Sequence, residues 1–218
     1  MLPRVELHAP STGNGEEHWS FPYGRTRSVT EQFRDFPRPH ELVRFSFFLE
    51  ATDKSSFTYE GLRFSLEDDE QALPLPHHLG WGDLPTDPPL DVSRARFHIN
   101  RPMGSVVLRR RVSVALRADG TYVRAYLEKG CEQAFDVLRH HSFVHQTAYL
   151  GKRCDGIAVV PLVPDVTVTF VDSAGQETRF KVDKTGDRAR REIRWSSDVQ
   201  AIRIDPPASP HILGILVR

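Results

Sequence analysis

The chain has 218 residues, enough for one large β-sandwich or two small domains. Hydrophobic residues make up 39% of it and charged residues 27%, which allows a packed core and excludes global disorder. Because 29 basic side chains balance 29 acidic ones, charge does not favour nucleic acid or an anionic membrane as a partner.

Alternating apolar and polar residues predict four strands in the first half of the chain. These strands cover Val5–His8, Leu42–Glu50, Phe57–Leu66 and Arg94–Asn100. Helix signals are scarce there. Thr30 is expected to cap a short turn that runs as far as Phe36.

The segment 72–90 is rich in proline and glycine. Its prolines are Pro74, Pro76, Pro85, Pro88 and Pro89, and Gly80 and Gly82 lie among them. Proline removes the backbone donor that a central strand needs. The segment is therefore expected to be a long ordered loop or an interdomain connection.

The strongest local pattern lies at 105–128. Val106, Leu108, Val112, Val114 and Leu116 share one parity, and mainly arginines occupy the other. Asp119-Gly120 then predicts a tight turn, and Tyr122–Glu128 a return strand. The whole segment is predicted to be a β-hairpin.

A second hairpin is predicted at 165–183, with its turn at Asp172–Gly175. Three further strands are predicted at Glu192–Trp195, Val199–Ile204 and Ile212–Val217. The segment Glu132–His141 fits a short helix, although alternation just after it also fits a strand.

Many short strands with Gly, Pro and Asp turns predict an all-β protein, namely an antiparallel β-sandwich or jelly roll with few short helices. We expect a single domain over 1–218 with the long Pro-rich loop at 72–90. The alternative is two small β domains split near 72–90.

The chain has two cysteines, Cys131 and Cys154, too few for a disulfide framework. Two free, partly buried thiols are favoured over one bridge. No signal peptide or membrane span is seen, so a cytoplasmic location is expected. Because the chain ends on an apolar strand, it is also expected to be a piece of a longer protein whose other domains are partners.

Ten histidines raise the question of a metal site. His77 and His78 are adjacent in the Pro-rich segment, and His140, His141 and His145 cluster in the middle. A metal-binding jelly roll places two histidines one residue apart, so that both face the same way. No His-X-His occurs, so solvated or hydrogen-bonded histidines are favoured, and a metal-dependent enzyme is the alternative.

The sequence lacks a Gly-X-Ser-X-Gly elbow and phosphate-binding glycine motifs, so no catalytic residue and no cofactor are predicted. Loop aromatics can stack on the apolar face of a sugar ring while polar neighbours bond its hydroxyls. The candidate sugar-binding residues are Trp81, Trp19, His77, His78 and Asp83. Alternatively, each tryptophan closes an end of the sandwich.

The C-terminal stretch carries a hydrophobic-Arg-hydrophobic-Asp-Pro pattern. Ile202-Arg203-Ile204-Asp205-Pro206 is followed by a turn and a last apolar strand. Arg203 is expected to point away from the two isoleucines, and Asp205 to bond amides of the turn. The pattern resembles the end of galactose-binding-like, carbohydrate-binding-type β-sandwich modules of bacterial surface-polysaccharide glycosyltransferases.

The resemblance covers about a quarter of the chain, through a short motif, and transfers no catalytic residue. It implies a non-catalytic accessory module that recognises carbohydrate in polysaccharide biosynthesis. Besides the metal enzyme, a protein-interaction or assembly module remains an alternative, docking through the Phe48 side of the strand at 42–50 or through the Pro-rich loop.

Overall fold

The computed structural model describes residues 19–53, 56–140, 150–182 and 190–218. Within these ranges the chain forms fourteen strands and two helices, and its sheets are mostly antiparallel. This confirms the predicted all-β class with few helices. The predicted strand Val5–His8 lies outside the described residues.

The chain divides into two compact units. The first comprises residues up to Phe36 together with Phe45–Arg111, and the second comprises Pro37–Arg44 and Val112–Arg218. The segment 72–90 lies wholly inside the first unit. Whether the chain is one sandwich domain stays a prediction.

The first unit contains two sheets and one helix. One sheet has the strand order β1-β6-β3-β4, and in the other β7, β2 and β5 are neighbours. The bounds are β1 Trp19–Pro22, α1 Gly24–Arg34, β2 Val43–Ala51, β3 Phe64–Glu67, β4 Ala72–Pro74, β5 Trp81–Asp83, β6 Arg96–Ile99 and β7 Val106–Val114. Both β2 and β7 continue into the second unit.

Aromatic side chains build the core of the first unit. Along β3 and β6 the apolar residues Phe64, Leu66, Phe97 and Ile99 are at most 3% exposed, and the polar residues between them face the other way. Phe47 of β2 meets Phe64 edge-on, with 4.9 Å between ring centroids. The two sheets of this unit therefore pack face to face through their apolar sides.

Two predictions in the first unit are wrong. Strand β3 begins at Phe64 rather than Phe57, because the residues before it are held by other bonds, such as Tyr59 Oη donating to the Leu49 carbonyl. Thr30 caps no turn, since it lies inside α1 and donates to the Arg27 carbonyl. Its hydroxyl also lies 3.0 Å from Tyr23 Oη, in the core.

The Pro-rich segment contains two short strands, β4 and β5, so it is more than a loop. Each is the last strand in its sheet. Proline is tolerated at an edge because its missing N–H then faces no partner, and Pro74 ends β4 in this way. Between His78 and Trp81, Leu79 and Gly80 both have positive φ, as in a type I′ turn.

The second unit has two sheets and a long helix. One sheet has the order β11-β10-β13-β8, and in the other β12, β9, β14 and β7 are neighbours. The bounds are β8 Thr121–Val123, α2 Arg124–His140, β9 Cys154–Pro161, β10 Val166–Asp172, β11 Glu177–Val182, β12 Arg191–Arg194, β13 Val199–Asp205 and β14 His211–Val217.

One apolar cluster joins these layers. It takes Val168 and Ile202 from the first sheet, Val159 and Leu213 from the second, and Leu127 from α2. All five side chains are at most 2% exposed. The second unit is thus a two-sheet sandwich with one helix packed into its core.

The predicted hairpin at 105–128 is wrong. Strand β8 is only three residues long and pairs with β13, and α2 begins at Arg124 where a return strand was predicted. The buried residues Leu127, Gly130, Cys131, Ala134 and Val137 recur every three or four positions. This helical period runs through the whole segment and prevails over the alternation seen at its start.

The other strands and the helix predicted for the second unit are present. The hairpin at 165–183 is present as β10 and β11, with Val166 opposite Val182. The three strands predicted after it correspond to β12, β13 and β14. The helix predicted at Glu132–His141 exists, but it is the second half of a longer one.

The expectation of free thiols is also wrong. Cys131 of α2 and Cys154 of β9 form a disulfide, with their Cα atoms 6.0 Å apart. Cys131 is fully buried in the core, where α2 places it beside β9. The disulfide links α2 to β9, and its two cysteines are 23 positions apart in the sequence.

Candidate functional site

Trp19 is a core residue. It is 5% exposed, and its ring lies 4.9 Å from that of Phe21. Buried and more exposed residues alternate along β1. Trp19 therefore faces the core on the same side as Phe21, whereas Pro22 is exposed. This tryptophan is not available for stacking on a ligand.

Trp81 lies at the start of β5 and stacks on Phe48 of β2. The ring centroids are 4.5 Å apart, the planes are inclined by 20°, and both side chains are half-buried. Asp83 is two residues further along β5, on the same side of the strand, and is exposed. The structure therefore brings Trp81 and Asp83 together, on a surface that also includes Phe48.

The two adjacent histidines have different surroundings. Nε2 of His77 lies 3.1 Å from the Leu62 carbonyl, and burial lowers the pKa of His77. His78 is exposed and starts the tight turn that leads to Trp81. His77 is thus held against the segment before β3, whereas His78 stands beside Trp81 in the sequence.

His140 is the last residue of α2 and is exposed, whereas His141 and His145 lie outside the described residues. Across 19–53, 56–140, 150–182 and 190–218, no three His, Cys, Asp or Glu side chains are grouped so that they could hold a metal ion. The alternative metal set therefore has no counterpart within the described ranges.

Arg203 and Asp205 lie on the outer side of β13. Ile202 and Ile204 are buried, whereas Arg203 is exposed and donates to Glu177 Oε1 across 2.6 Å. Strand β13 ends at Asp205, and a backbone bond from Ser209 to Pro206 closes the turn that follows. In this structure Arg203 joins β13 to β11 through an exposed ion pair.

A surface depression lies on the polar side of β3 and β6. It encloses about 420 Å³ and is lined by Arg63, Ser65, Glu67, His98, Ile99 and Asn100. The two strands are antiparallel neighbours, and Ser65 is directly opposite His98. Polar side chains therefore line the depression from two adjacent strands of one rigid sheet, and we call it the β3–β6 depression.

Glu67 links the polar groups at one end of the β3–β6 depression. Ser65 Oγ donates to Glu67 Oε1 across 2.5 Å, and His98 Nε2 lies 3.8 Å from Glu67 Oε2. The side chains of His98 and Glu67 are 39% and 35% exposed. A carboxylate with this exposure keeps free lone pairs, so it can accept hydrogen bonds from a ligand.

This arrangement is unsuited to nucleophilic catalysis. In a serine hydrolase the imidazole lies between the hydroxyl and the carboxylate and removes the hydroxyl proton. Here the carboxylate of Glu67 lies between Ser65 and His98. The lining also contains only one carboxyl group, whereas a glycosidase uses two across its cleft.

Arg63 lies at the other end of the β3–β6 depression, just before β3. Its backbone is fixed, since Arg63 N donates to Asn100 Oδ1 across 2.6 Å and Asn100 N donates to the Arg63 carbonyl. Asn100 Nδ2 in turn donates to the Gly61 carbonyl. The guanidinium is exposed, and among the described residues it has no hydrogen-bond or ion-pair partner.

The residues of the β3–β6 depression were not among the predicted site residues. Their signal was present, because Ser65 and Glu67 alternate with Phe64 and Leu66, and His98 lies between two buried residues. Alternation shows which side chains face away from the core. It does not show that β3 and β6, separated by two other strands in sequence, become neighbours.

Comparisons of the chain with protein-family models, with curated proteins and with solved structures found no match. In the part of the chain that the structure describes, neither helix combines the length and the apolar character needed to cross a membrane. The fold itself is shown: it is all-β, with two helices in the described part of the chain.

Proposed function

We propose that the protein is a non-catalytic binding module that recognises carbohydrate, and that the β3–β6 depression is its binding site. The observation that carries this proposal is the polar lining of the depression. Five of its six lining residues have hydrogen-bonding side chains. Most ligand pockets are lined mainly by apolar groups, so this lining favours a ligand rich in hydroxyl groups.

The volume is adequate for a small saccharide. The depression encloses about 420 Å³, within the range of about 300–1,000 Å³ found for ligand sites. Glu67 offers acceptors, Arg63 offers donors, and the Ser65 hydroxyl can do either. A sugar hydroxyl donates and accepts, so it can pair with groups of both kinds.

A binding role also agrees with the lack of a catalytic arrangement in the lining. Ser65 donates to a carboxylate instead of an imidazole, and Glu67 has no second carboxyl group beside it in the depression. Open polar sites of this kind give modest affinity. We expect dissociation constants between micromolar and millimolar, about 4–8 kcal/mol of binding free energy.

Titration calorimetry with a panel of neutral and acidic oligosaccharides tests the proposal. The double variant Ser65→Ala/Glu67→Gln should weaken binding at least tenfold. Glu70→Gln is the matched control, because it removes the same charge from an exposed turn of the same unit outside the lining. If no oligosaccharide binds the intact chain, the proposal is wrong.

The stacked pair of Trp81 and Phe48 gives a second arm to this test. The variant Trp81→Ala removes the one candidate aromatic ring that is partly exposed. Binding that survives in this variant but is lost in Ser65→Ala/Glu67→Gln assigns recognition to the β3–β6 depression. The reverse result would keep a carbohydrate function but move its site to the surface around Trp81.

A further inference from the structure

Resting on the carbohydrate function proposed above, we infer that the ligand is an acidic saccharide whose carboxylate pairs with the Arg63 guanidinium. Arg63 is the cationic side chain of the β3–β6 depression that lacks a partner among the described residues. A guanidinium binds a carboxylate through two parallel hydrogen bonds, which gives both affinity and orientation.

Arg63 differs in this respect from the arginines around it. Every other arginine of the first unit whose side chain is described has an interaction partner: Arg27 with Glu31, Arg34 with Asp35, Arg94 with Asp91, Arg96 with Ser20, Arg101 with the Glu60 carbonyl, Arg109 with Glu50, and also Arg110 and Arg111. The other described arginines of this unit are thus engaged by groups of the chain itself. Arg63 is left available to a ligand.

Hydrogen bonds fix the backbone of Arg63, whereas its guanidinium has no hydrogen-bond or ion-pair partner among the described residues. Asn100 bonds the backbone on both sides of the Arg63 Cα atom, accepting from the Arg63 N–H and donating its own N–H to the Arg63 carbonyl. Anchoring the backbone limits the positions that the guanidinium can reach. Binding then costs less conformational entropy than it would for an arginine on a free loop.

The two ends of the depression have opposite charges, which orients the ligand. Arg63 and Glu67 are four residues apart on an extended chain, or roughly 13 Å at 3.3 Å per residue. This backbone separation exceeds the screening length of about 8 Å at physiological ionic strength, so screening weakens the repulsion between Glu67 and an anion at Arg63. The carboxylate of the ligand lies at Arg63, and its hydroxyl groups lie at Ser65, Glu67 and His98.

The test compares uronic-acid oligosaccharides with their methyl esters. The esters keep every hydroxyl and the ring stereochemistry but lose the negative charge, so the pair isolates the contribution of the carboxylate. We expect the acid to bind at least tenfold more tightly than its ester to the intact chain, and we expect this preference to shrink as salt is added.

Variants at position 63 assign the effect to the guanidinium. Arg63→Gln should bind acid and ester equally, and Arg63→Lys should keep part of the preference, because lysine has the charge but not the planar fork. Arg34→Gln removes the same charge from an exposed ion pair on α1 and should keep the full preference. Because the Arg63 guanidinium makes no hydrogen bond or ion pair with a described residue, Arg63→Gln should unfold at the same denaturant concentration as the intact chain.

A failure of the acidic-ligand inference can be distinguished from a failure of the proposed carbohydrate function. If acid and ester bind the intact chain equally, the acidic-ligand inference is overturned and the carbohydrate function stands. An acid preference that survives in Arg63→Gln also overturns the assignment to this residue. If neither the acids, nor their esters, nor neutral sugars bind, the proposed function itself fails.

Discussion

Tyr122 of β8 donates its phenolic hydrogen to Nε2 of His211 on β14, across 2.8 Å and 89 positions of sequence. The direction follows from the other ring nitrogen. Nδ1 of His211 lies 2.6 Å from the Ser209 carbonyl, which can only accept, so Nδ1 carries the hydrogen and Nε2 of the neutral ring accepts. Tyr122 Oη also accepts from the Arg117 N–H, at 3.3 Å.

Replacing Tyr122 by phenylalanine should destabilise the second unit. Tyr122 is fully buried and His211 is 2% exposed, so the change leaves the acceptor Nε2 without a donor in the core. A buried group that loses its partner costs about 1–3 kcal/mol. Urea unfolding followed by circular dichroism measures this loss.

Tyr126→Phe is the matched control for Tyr122→Phe. The Tyr126 hydroxyl donates to the Ala115 carbonyl across 3.0 Å, but its side chain is only half-buried. Water can therefore replace the lost hydroxyl, and we expect a loss below about 1 kcal/mol. Equal losses in the two variants would contradict the special role of the Tyr122–His211 pair.

The stability of the protein should fall on mild acidification. Burial lowers the pKa of His211 below 6.5, and the nearby Arg44 acts in the same direction. The unfolded chain therefore binds a proton near pH 6.5 that the folded chain does not bind until lower pH. The free energy of unfolding is highest above pH 6.5 and decreases as the pH falls below it.

Denaturant unfolding at a series of pH values from 7.5 to 5 checks this expectation. His211→Gln should reduce the loss of stability on acidification, whatever its effect at pH 7.5. Burial lowers the pKa of His77 as well, so His77→Gln should remove a further part of the loss of stability on acidification. An unchanged pH profile in His211→Gln would exclude His211 as a source of the dependence.

Gly156→Ala should weaken the pairing of β9 with β12. A Cβ atom at position 156 would overlap the Ile193 carbonyl oxygen, which is backbone and cannot turn aside. The strands would have to shift, and overpacking of this kind costs about 1–3 kcal/mol. The thermal midpoint of the variant measures the effect.

Gly214→Ala on the neighbouring strand β14 is the control for this substitution. There the nearest atom to an added Cβ is the Ala158 carbonyl oxygen, at 3.8 Å, which is ordinary contact. We expect stability to stay the same or to rise by up to about 1 kcal/mol, since alanine lowers the entropy of the unfolded chain. Similar losses at both positions would contradict the steric explanation.

Reduction of the Cys131–Cys154 disulfide should lower the free energy of unfolding by about 3 kcal/mol, as expected for a bridge that closes a loop of this length. Urea unfolding with and without dithiothreitol measures the difference. Cys131→Ala/Cys154→Ala should be insensitive to the reductant. If the intact chain is equally insensitive, or if both thiols are alkylated without prior reduction, the disulfide is absent.

The sequence predicted the pairing of two strands correctly where both strands lie close together in the chain. The hairpin of β10 and β11 is an example, because alternation and a turn signal fall within a few residues of each other. The same two signals occur at 105–128, but the hairpin predicted there is wrong. There the turn at Asp119-Gly120 exists, but β8 pairs with β13, some 80 positions away.

In the candidate site, too, the sequence predicts local features, whereas strand pairing depends on the tertiary structure. Alternation alone identifies Ser65, Glu67 and His98 as outward-facing, but only the pairing of β3 with β6 makes them one surface. Conversely, Trp19 looked like a loop aromatic, because nothing in its neighbourhood indicates that β1 joins β6 and turns the indole into the core.

The sequence by itself determined the fold class and, for strands such as β13, the side that faces the core, because side-chain alternation is a local property of the extended backbone. Tertiary structure decided which strands became neighbours and where the helical period of α2 prevailed. It also decided that the Arg63 guanidinium has no hydrogen-bond or ion-pair partner among the residues that the structure describes. These outcomes depend on contacts between distant segments, whose free energy no single stretch of sequence reveals.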